Sequence, residues 1–214
     1  SGSITGVASI EGDGFSMDNE YFFSIQIPEK RNVLWVHKNS DNPIDVSYTS
    51  AILNAQGDKN NQIAYKSVSS DELSNIDITE YDALILEGLD EIPEFIFSNI
   101  QEFVQNGKGI IFFPSETANI QNYNKFTNLF NAGNFIGILG DYTSFNSIAK
   151  GSELLDGHPI FTGLFEKESD DEKLTFTIPD IYYYLKFRPA NSGLGLNIIE
   201  MNNGDPLLRE KKFG

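Results

Sequence analysis

Four short runs of apolar residues stand out along the middle of the chain. They occupy 32–37 (NVLWVH), 63–68 (IAYKSV), 82–88 (DALILEG) and 110–114 (IIFFP). Continuous apolar runs of this length, without alternation, are typical of strands that are buried on both faces. The pattern therefore predicts four central strands.

Helical spacing separates these runs. The segment from Pro93 to Gln105 begins with a proline, as first helical turns favour, and has an apolar face. We also predict helices over 44–56, which Gly57 follows as a stop, and over 118–132. Strands that alternate with helices in this way predict an α/β fold, with a parallel sheet covered by helices on both faces in three layers.

The pattern differs at both ends of this unit. Residues 4–27 contain two β-rich stretches around a turn-prone segment, which predicts a β-hairpin. After Gly133 the spacing is irregular, and the strand candidates lie in 134–139, 145–150, 174–189 and 196–201. We divide the chain into a hairpin at 1–30 and an α/β domain at 31–214, and we expect that domain to continue beyond residue 214.

Charge and composition exclude several classes of partner. The 214 residues carry a formal net charge of −16, which disfavours binding to nucleic-acid phosphates and to anionic membrane surfaces. The chain has no cysteine, so disulfides and thiolate chemistry are excluded. No apolar run approaches the roughly 20 residues that a membrane-spanning helix needs, so we expect no direct membrane insertion.

Parallel sheets place their functional sites at the carboxyl ends of the strands. Those ends carry three loops, at 37–41, 87–90 and 114–117. They supply the candidate cleft residues His37, Glu87, Asp90, Ser115 and Glu116. The only other histidine, His158, lies in a Gly- and Pro-containing loop and is a sixth candidate, although a lone histidine is more often structural.

Ser115 is the nearest hydroxyl to the predicted elbow after the fourth strand. A hydrolytic serine needs a base and oxyanion donors, and an elbow favours small flanking residues. Here the flanks are Pro114 and Glu116, and no G-x-S-x-G motif is present. The alternative is that Ser115 or Thr117 caps the next helix. We predict no catalytic residue, no metal site and no cofactor.

Two further groups of side chains are weaker candidates. Acidic residues cluster at 166–172 and at 13–20, but neither cluster has the ligand spacing of a calcium-binding loop, so we interpret both as solvated loops. Trp35 and Tyr182–Tyr184 are candidate contacts for a carbohydrate, although aromatic residues at strand spacing more often belong to the core.

Four stretches together resemble a known family, namely NVLWVH, DALILEGLDEIP, QEFVQNGKGIIFFPSE and DGHPIFTGLF. They are similar to the class I glutamine amidotransferase-like domain of aerotolerance-regulator (Bat)-type membrane proteins of Bacteroidetes. The segment HPIFTGL also resembles the trehalose-utilisation branch of that fold. The resemblance implies a three-layer, flavodoxin-like sheet, and a hairpin that is the tail of a preceding β-sandwich. The catalytic cysteine of working amidotransferases has no counterpart in this chain.

Three functions follow as hypotheses. The first is a non-catalytic binding or assembly module of a membrane-anchored envelope protein, on the extracytoplasmic side, with proteins or other domains of the parent chain as partners. The second is a hydrolase or sugar-related enzyme that uses His37, Glu87, Ser115 or His158. The third is a carbohydrate- or cation-binding module.

Overall fold

The computed structural model describes residues 2–9, 20–27, 30–38, 48–54, 63–141, 143–162, 164, 180–191 and 195–213. The strands in these ranges are β1 Gly2–Ser9, β2 Glu20–Ile27, β3 Arg31–His37, β4 Ile63–Ser69, β5 Ala83–Glu87, β6 Gly109–Phe113, β7 Gly133–Gly140, β8 Ala149–Leu154, β9 Asp180–Ile181, β10 Tyr183–Pro189, β11 Gly195–Met201 and β12 Pro206–Lys211. The helices are α1 Tyr48–Asn54, α2 Phe97–Gln105 and α3 Ile120–Leu129.

The four apolar runs form one parallel sheet in the order β4-β3-β5-β6. Successive side chains of each strand point to opposite faces. On one face, Leu34 and Leu84 join a large core cluster to which α2 and α3 contribute. On the other face, Val33, Trp35 and Ile85 form a small cluster with Leu53 of α1. This parallel unit agrees with the strands that the sequence predicts.

The predicted three-layer, flavodoxin-like fold is nevertheless wrong. Only this sheet is parallel, and the other three sheets formed by the described strands are antiparallel. The second layer of helices is also missing from the described residues at β6, where the side chains of Ile111 and Phe113 are 49% and 45% exposed. The parallel sheet is therefore not covered on both faces by described elements.

Chain connectivity explains one of the antiparallel pairs, β11 with β12. Parallel neighbours need a long crossover, usually a helix, whereas antiparallel neighbours need only a short turn. β11 and β12 are joined by the turn at 202–205 and pair directly, and β8 and β9 complete that sheet in the order β12-β11-β8-β9. β7 pairs with β10, and β1 pairs with β2. The irregular pattern after Gly133 thus reflects a change of sheet type, which the sequence analysis missed.

Aromatic side chains join the β7–β10 pair to the parallel sheet. Phe112 of β6 packs edge-on against Tyr123 and Phe126 of α3, with ring centroids 4.9 and 5.6 Å apart. Phe135 of β7 lies 5.5 Å from Tyr123 and 4.9 Å from Phe187 of β10. Edge-to-face and tilted aromatic pairs at these distances are favourable beyond the area they bury. The core is therefore continuous from α3 into β10.

Two residues of α3 hold the loop that follows β5. The Asn122 side chain accepts a hydrogen bond from Ile92 N (2.8 Å) and donates one to Ile92 O (2.9 Å). The Tyr123 hydroxyl donates to Leu89 O and accepts from Ser115 N (2.9 Å). All five residues are buried. These bonds satisfy backbone groups that have no strand or helix partner, and they fix residues 89–92 against α3.

No helix in the described ranges has the length and apolar character needed to cross a membrane.

We predict that Asn122→Ala lowers the free energy of unfolding by about 2 to 3 kcal/mol, because it leaves the buried N–H and C=O of Ile92 without partners. Urea denaturation followed by circular dichroism measures the change. Asn128→Ala, at an exposed position of the same helix, is the control and should change stability by less than about 0.5 kcal/mol. Equal effects of the two substitutions would contradict the role of Asn122.

Candidate functional site

Three loops meet at the carboxyl edge of the parallel sheet. Lys38 follows β3, Asp90 follows β5, and Ser115 and Thr117 follow β6. Because β5 lies between β3 and β6, the loop that carries Asp90 is flanked by the other two. The sequence analysis named these loops, and the structure brings their polar side chains together.

Asp90 is the centre of this cluster. Its Oδ1 accepts hydrogen bonds from Ser115 Oγ (2.7 Å) and from Thr117 Oγ1. Its Oδ2 lies 2.6 Å from the ammonium nitrogen of Lys38. The bond from Lys38 and then that from Thr117 lower the pKa of Asp90 from 3.8 to about 2, against partial desolvation, which raises it. Asp90 is therefore a permanent carboxylate at neutral pH.

Ser115 is buried, with 7% of its surface exposed. Its hydroxyl donates to Asp90 and accepts from the backbone N–H of Thr117 (3.1 Å), and its own backbone N–H donates to Tyr123. Burial raises the pKa of Tyr123 to about 12, so its phenol keeps its proton. A general base works best with a pKa near the working pH. A carboxylate whose pKa is about 2 is a poor acceptor for a serine proton.

The helix that follows the elbow is capped by a different residue from the one predicted. Asn119 is the N-cap of α3, since its side-chain oxygen accepts from Gln121 N (3.1 Å) and Asn122 N (3.2 Å). The prediction that Ser115 or Thr117 caps this helix is wrong, because both side chains bond to Asp90 instead. An asparagine directly before a helical pattern is a strong capping signal.

Asn119 also connects the cap to the cluster. Its backbone N–H donates to the carbonyl oxygen of Asp90 (2.8 Å), and its side-chain amide donates to Glu91 (2.7 Å). One residue thus begins α3 and holds the loop that presents Asp90. This link depends on the fold, so the sequence analysis did not find it.

His37 and Glu87 lie at strand ends beside this cluster, on the face of the sheet that carries Trp35. His37 Nδ1 donates to Lys38 O (2.9 Å), and Nε2 lies 2.9 Å from Ser67 Oγ. Glu87 accepts a hydrogen bond from the indole N–H of Trp35 (2.7 Å). These contacts occupy both imidazole nitrogens of His37 with groups other than Ser115.

Glu116 and His158 have partners in the antiparallel part of the chain. Glu116 is exposed and accepts a hydrogen bond from Tyr183 (3.2 Å) on β10. His158 caps a short 3-10 turn and lies 2.7 Å from Glu210 of β12. His158 is therefore part of the link to the β12 strand, which agrees with a structural role.

Two residues of the cluster were not among the candidate cleft residues. Lys38 and Thr117 lie within the predicted loops, but nothing in their local pattern marks them as partners of Asp90. Tyr123 carries no such signal either, because an aromatic residue in an amphipathic helix predicts core packing. The register of β3, β5 and β6 brings Lys38 and Thr117 to Asp90. The packing of α3 brings Tyr123 to Ser115.

Acidic groups in the described ranges form no cluster of three or more residues that could hold a metal ion. The acidic stretch at 166–172 lies outside the described residues, as do Asp13 and Asp18. Trp35 is buried in the small cluster on the sheet face, which agrees with the interpretation of this residue as core.

We predict a specific pH dependence for Asp90. Its folded-state pKa of about 2 lies below the ordinary value of 3.8, so the stability it contributes is present above about pH 4 and is lost as the pH falls toward 2. Lys38→Ala removes the largest cause of the shift and should move the pKa of Asp90 upward. Carbon-13 NMR titration of the side-chain carboxyl group measures both values. An unchanged pKa in the variant would contradict the assigned ion pair.

Comparison with known proteins adds no assignment to this geometry. The chain matches no protein-family model, no curated protein and no solved structure. The resemblance to the amidotransferase-like domain therefore stays a prediction, and the function has to be argued from the site itself.

Proposed function

We propose that this chain is a non-catalytic binding module, and that its partner contacts the Lys38–Asp90 cluster at the carboxyl edge of the parallel sheet. We further propose that it serves a larger membrane-anchored envelope protein, on the extracytoplasmic side. The chain contains no cysteine that could act as a thiol nucleophile. The hydrogen bonds and charges of the cluster support a binding role instead.

One observation carries the non-catalytic part of the proposal. The hydroxyl proton of Ser115 is donated to a carboxylate whose pKa is about 2 and whose charge is balanced by Lys38. A nucleophilic serine needs a base with a higher proton affinity, usually an imidazole. Both nitrogens of His37 are bonded elsewhere, and His158 is bonded to Glu210. The contacts of the two histidines are therefore with groups other than Ser115.

The exposed part of the cluster supports a role in binding. The side chains of Lys38 and Asp90 are 55% and 40% exposed, and Glu116 and Thr117 next to them are exposed. This surface offers an ammonium donor and carboxylate acceptors on loops held in place by buried hydrogen bonds to α3. Rigid presentation of a few polar groups lowers the entropic cost of binding a polar partner.

The hairpin supports the role within a larger assembly. Its pairing places Ile4, Tyr21, Phe23 and Ile25 on one face, and all four are exposed. The other face carries four small polar residues, Ser3, Thr5, Ser9 and Ser24, and the apolar pair of Val7 and Phe22, which is also exposed. An isolated two-stranded sheet is marginally stable in water, and an apolar face of this kind is stabilised by packing on another β-layer. We therefore propose that another domain of the parent chain covers this face.

Two measurements test the proposal, and the first concerns catalysis. We expect p-nitrophenyl acetate and L-glutamine to be hydrolysed at the same rate with the protein as in buffer. Ser115→Ala should leave both rates unchanged, because the described groups that are bonded to Ser115 include no suitable general base. Turnover that the substitution abolishes would overturn the non-catalytic assignment and favour the hydrolase.

The second measurement concerns binding. The immobilised protein is incubated with the detergent-solubilised envelope fraction of its source organism, and retained proteins are identified by mass spectrometry. We expect Lys38→Ala to lose the partner that the unmodified protein retains. The matched control is Lys125→Ala, which removes another exposed ion pair of 2.6 Å, to Glu94 on the helical side of the sheet. If both variants retained the partner, or if both lost it, the result would contradict a partner at the cluster.

A further inference from the structure

The outer edge of β6 is an uncharged and apolar strip. β6 is the last strand in the order β4-β3-β5-β6, and no other described strand forms hydrogen bonds with it on its outer side. Its five residues are Gly-Ile-Ile-Phe-Phe, and Ile111 and Phe113 are about half exposed on the face away from α2 and α3. Native proteins usually protect such edges with charges, proline or a covering element, because an open edge invites another strand.

The backbone of β6 is oriented for pairing. Gly109 N donates to Asp82 O, and Phe113 O accepts from Gly88 N, so these residues direct their backbone groups toward β5. Backbone direction alternates along a strand, which turns the N–H and C=O groups of Ile110 and Phe112 toward the outer edge. Two residues thus present four hydrogen-bonding groups to a neighbouring strand.

The strip is complementary to itself about a two-fold axis. With Ile111 facing Ile111 of a second copy, antiparallel pairing sets Ile110 opposite Phe112, and these two residues exchange both hydrogen bonds. The same register sets Phe113 of each copy opposite Gly109 of the other. A Cβ added at Gly109 would meet no atom within 4 Å, so the space above it is open. The Phe113 ring can fill that space, as aromatic residues do over glycines in antiparallel pairs.

Charge opposes contact between two copies of this chain less at this strip than at charged parts of its surface. The chain carries a net charge of −16, which opposes contact between copies through most surfaces. β6 carries no charged residue, while Lys108 precedes it and Glu116 lies beyond its end. Antiparallel pairing brings the lysine end of one strand to the glutamate end of the other. Pro114, which has no N–H, ends the ladder at five residues.

We infer that two copies of this chain associate through their β6 edges and form a continuous eight-stranded sheet with an antiparallel junction at Ile111. The inference does not need the proposed partner at Lys38 and Asp90, since the hydrogen bonds and apolar contacts of the junction come from β6 itself. A junction of this kind is isologous, so it closes at two subunits.

Cysteine cross-linking tests the register directly, because the chain contains no other cysteine. Facing residues of a non-hydrogen-bonded antiparallel pair have Cα atoms about 4.5 Å apart, which lies within the range of a disulfide. We expect Ile111→Cys to form covalent dimers at least about tenfold faster under mild oxidation than Ile136→Cys, a matched control on β7 with 46% exposure. Equal rates would overturn the inference.

A mixing experiment distinguishes this register from any other contact. Gly109→Cys and Phe113→Cys should cross-link when mixed, whereas each variant alone should not, because each position faces the other one across the two-fold axis. Cross-linking of each variant with itself at the rate of the mixture would contradict the register.

Sedimentation velocity tests the association without any cross-link. We expect Ile111→Lys to weaken dimerisation by about tenfold or more, because it places like charges opposite one another, while Ile136→Lys leaves it unchanged. Added salt should strengthen dimerisation of the unmodified protein by screening its negative charge. Circular dichroism verifies that both variants are folded. A protein that remains monomeric at every concentration and salt level would overturn the inference.

Discussion

The architecture of the carboxyl edge depends on the buried hydrogen bonds between α3 and the loop after β5. Asn122 satisfies both backbone groups of Ile92, and the Tyr123 hydroxyl joins Leu89 O to Ser115 N. These groups are buried, so each would cost free energy if it lacked a partner. These bonds therefore hold the loop against α3, and Asp90 is presented from it.

Asp90 stabilises the elbow by accepting hydrogen bonds from its hydroxyl groups. Because the pKa of Asp90 is about 2, this carboxylate is a poor base for the Ser115 hydroxyl. Lys38, Ser115 and Thr117 all donate to Asp90, which lowers its pKa and fixes the hydroxyl groups. The same residue types, with an imidazole in place of the carboxylate, would be a candidate hydrolase. The identity and partners of this one acceptor are therefore the basis of the proposed binding function.

The parallel sheet is asymmetric. One face is covered by α2 and α3 and continues through Phe135 into the β7–β10 pair, whereas the other face is covered near β3 by Leu53 of α1 and is open at Ile111 and Phe113. The open face and the open edge of β6 adjoin. Together with the apolar face of the hairpin, they are exposed apolar surfaces on sheets, where strand pairing and layer packing can cover them.

Local pattern alone determined the four central strands, α2 and the three loops of the site, because apolar runs and helical spacing respond mainly to burial and period. It did not determine the antiparallel sheets after Gly133, because the pairing of a strand depends on its connections and on distant partners. The same limit applies to Lys38, Thr117 and Tyr123, whose roles follow from the register of three parallel strands and the packing of α3. Contacts between residues 25 to 52 positions apart, such as those of Asp90 and Lys38, are decided by tertiary structure.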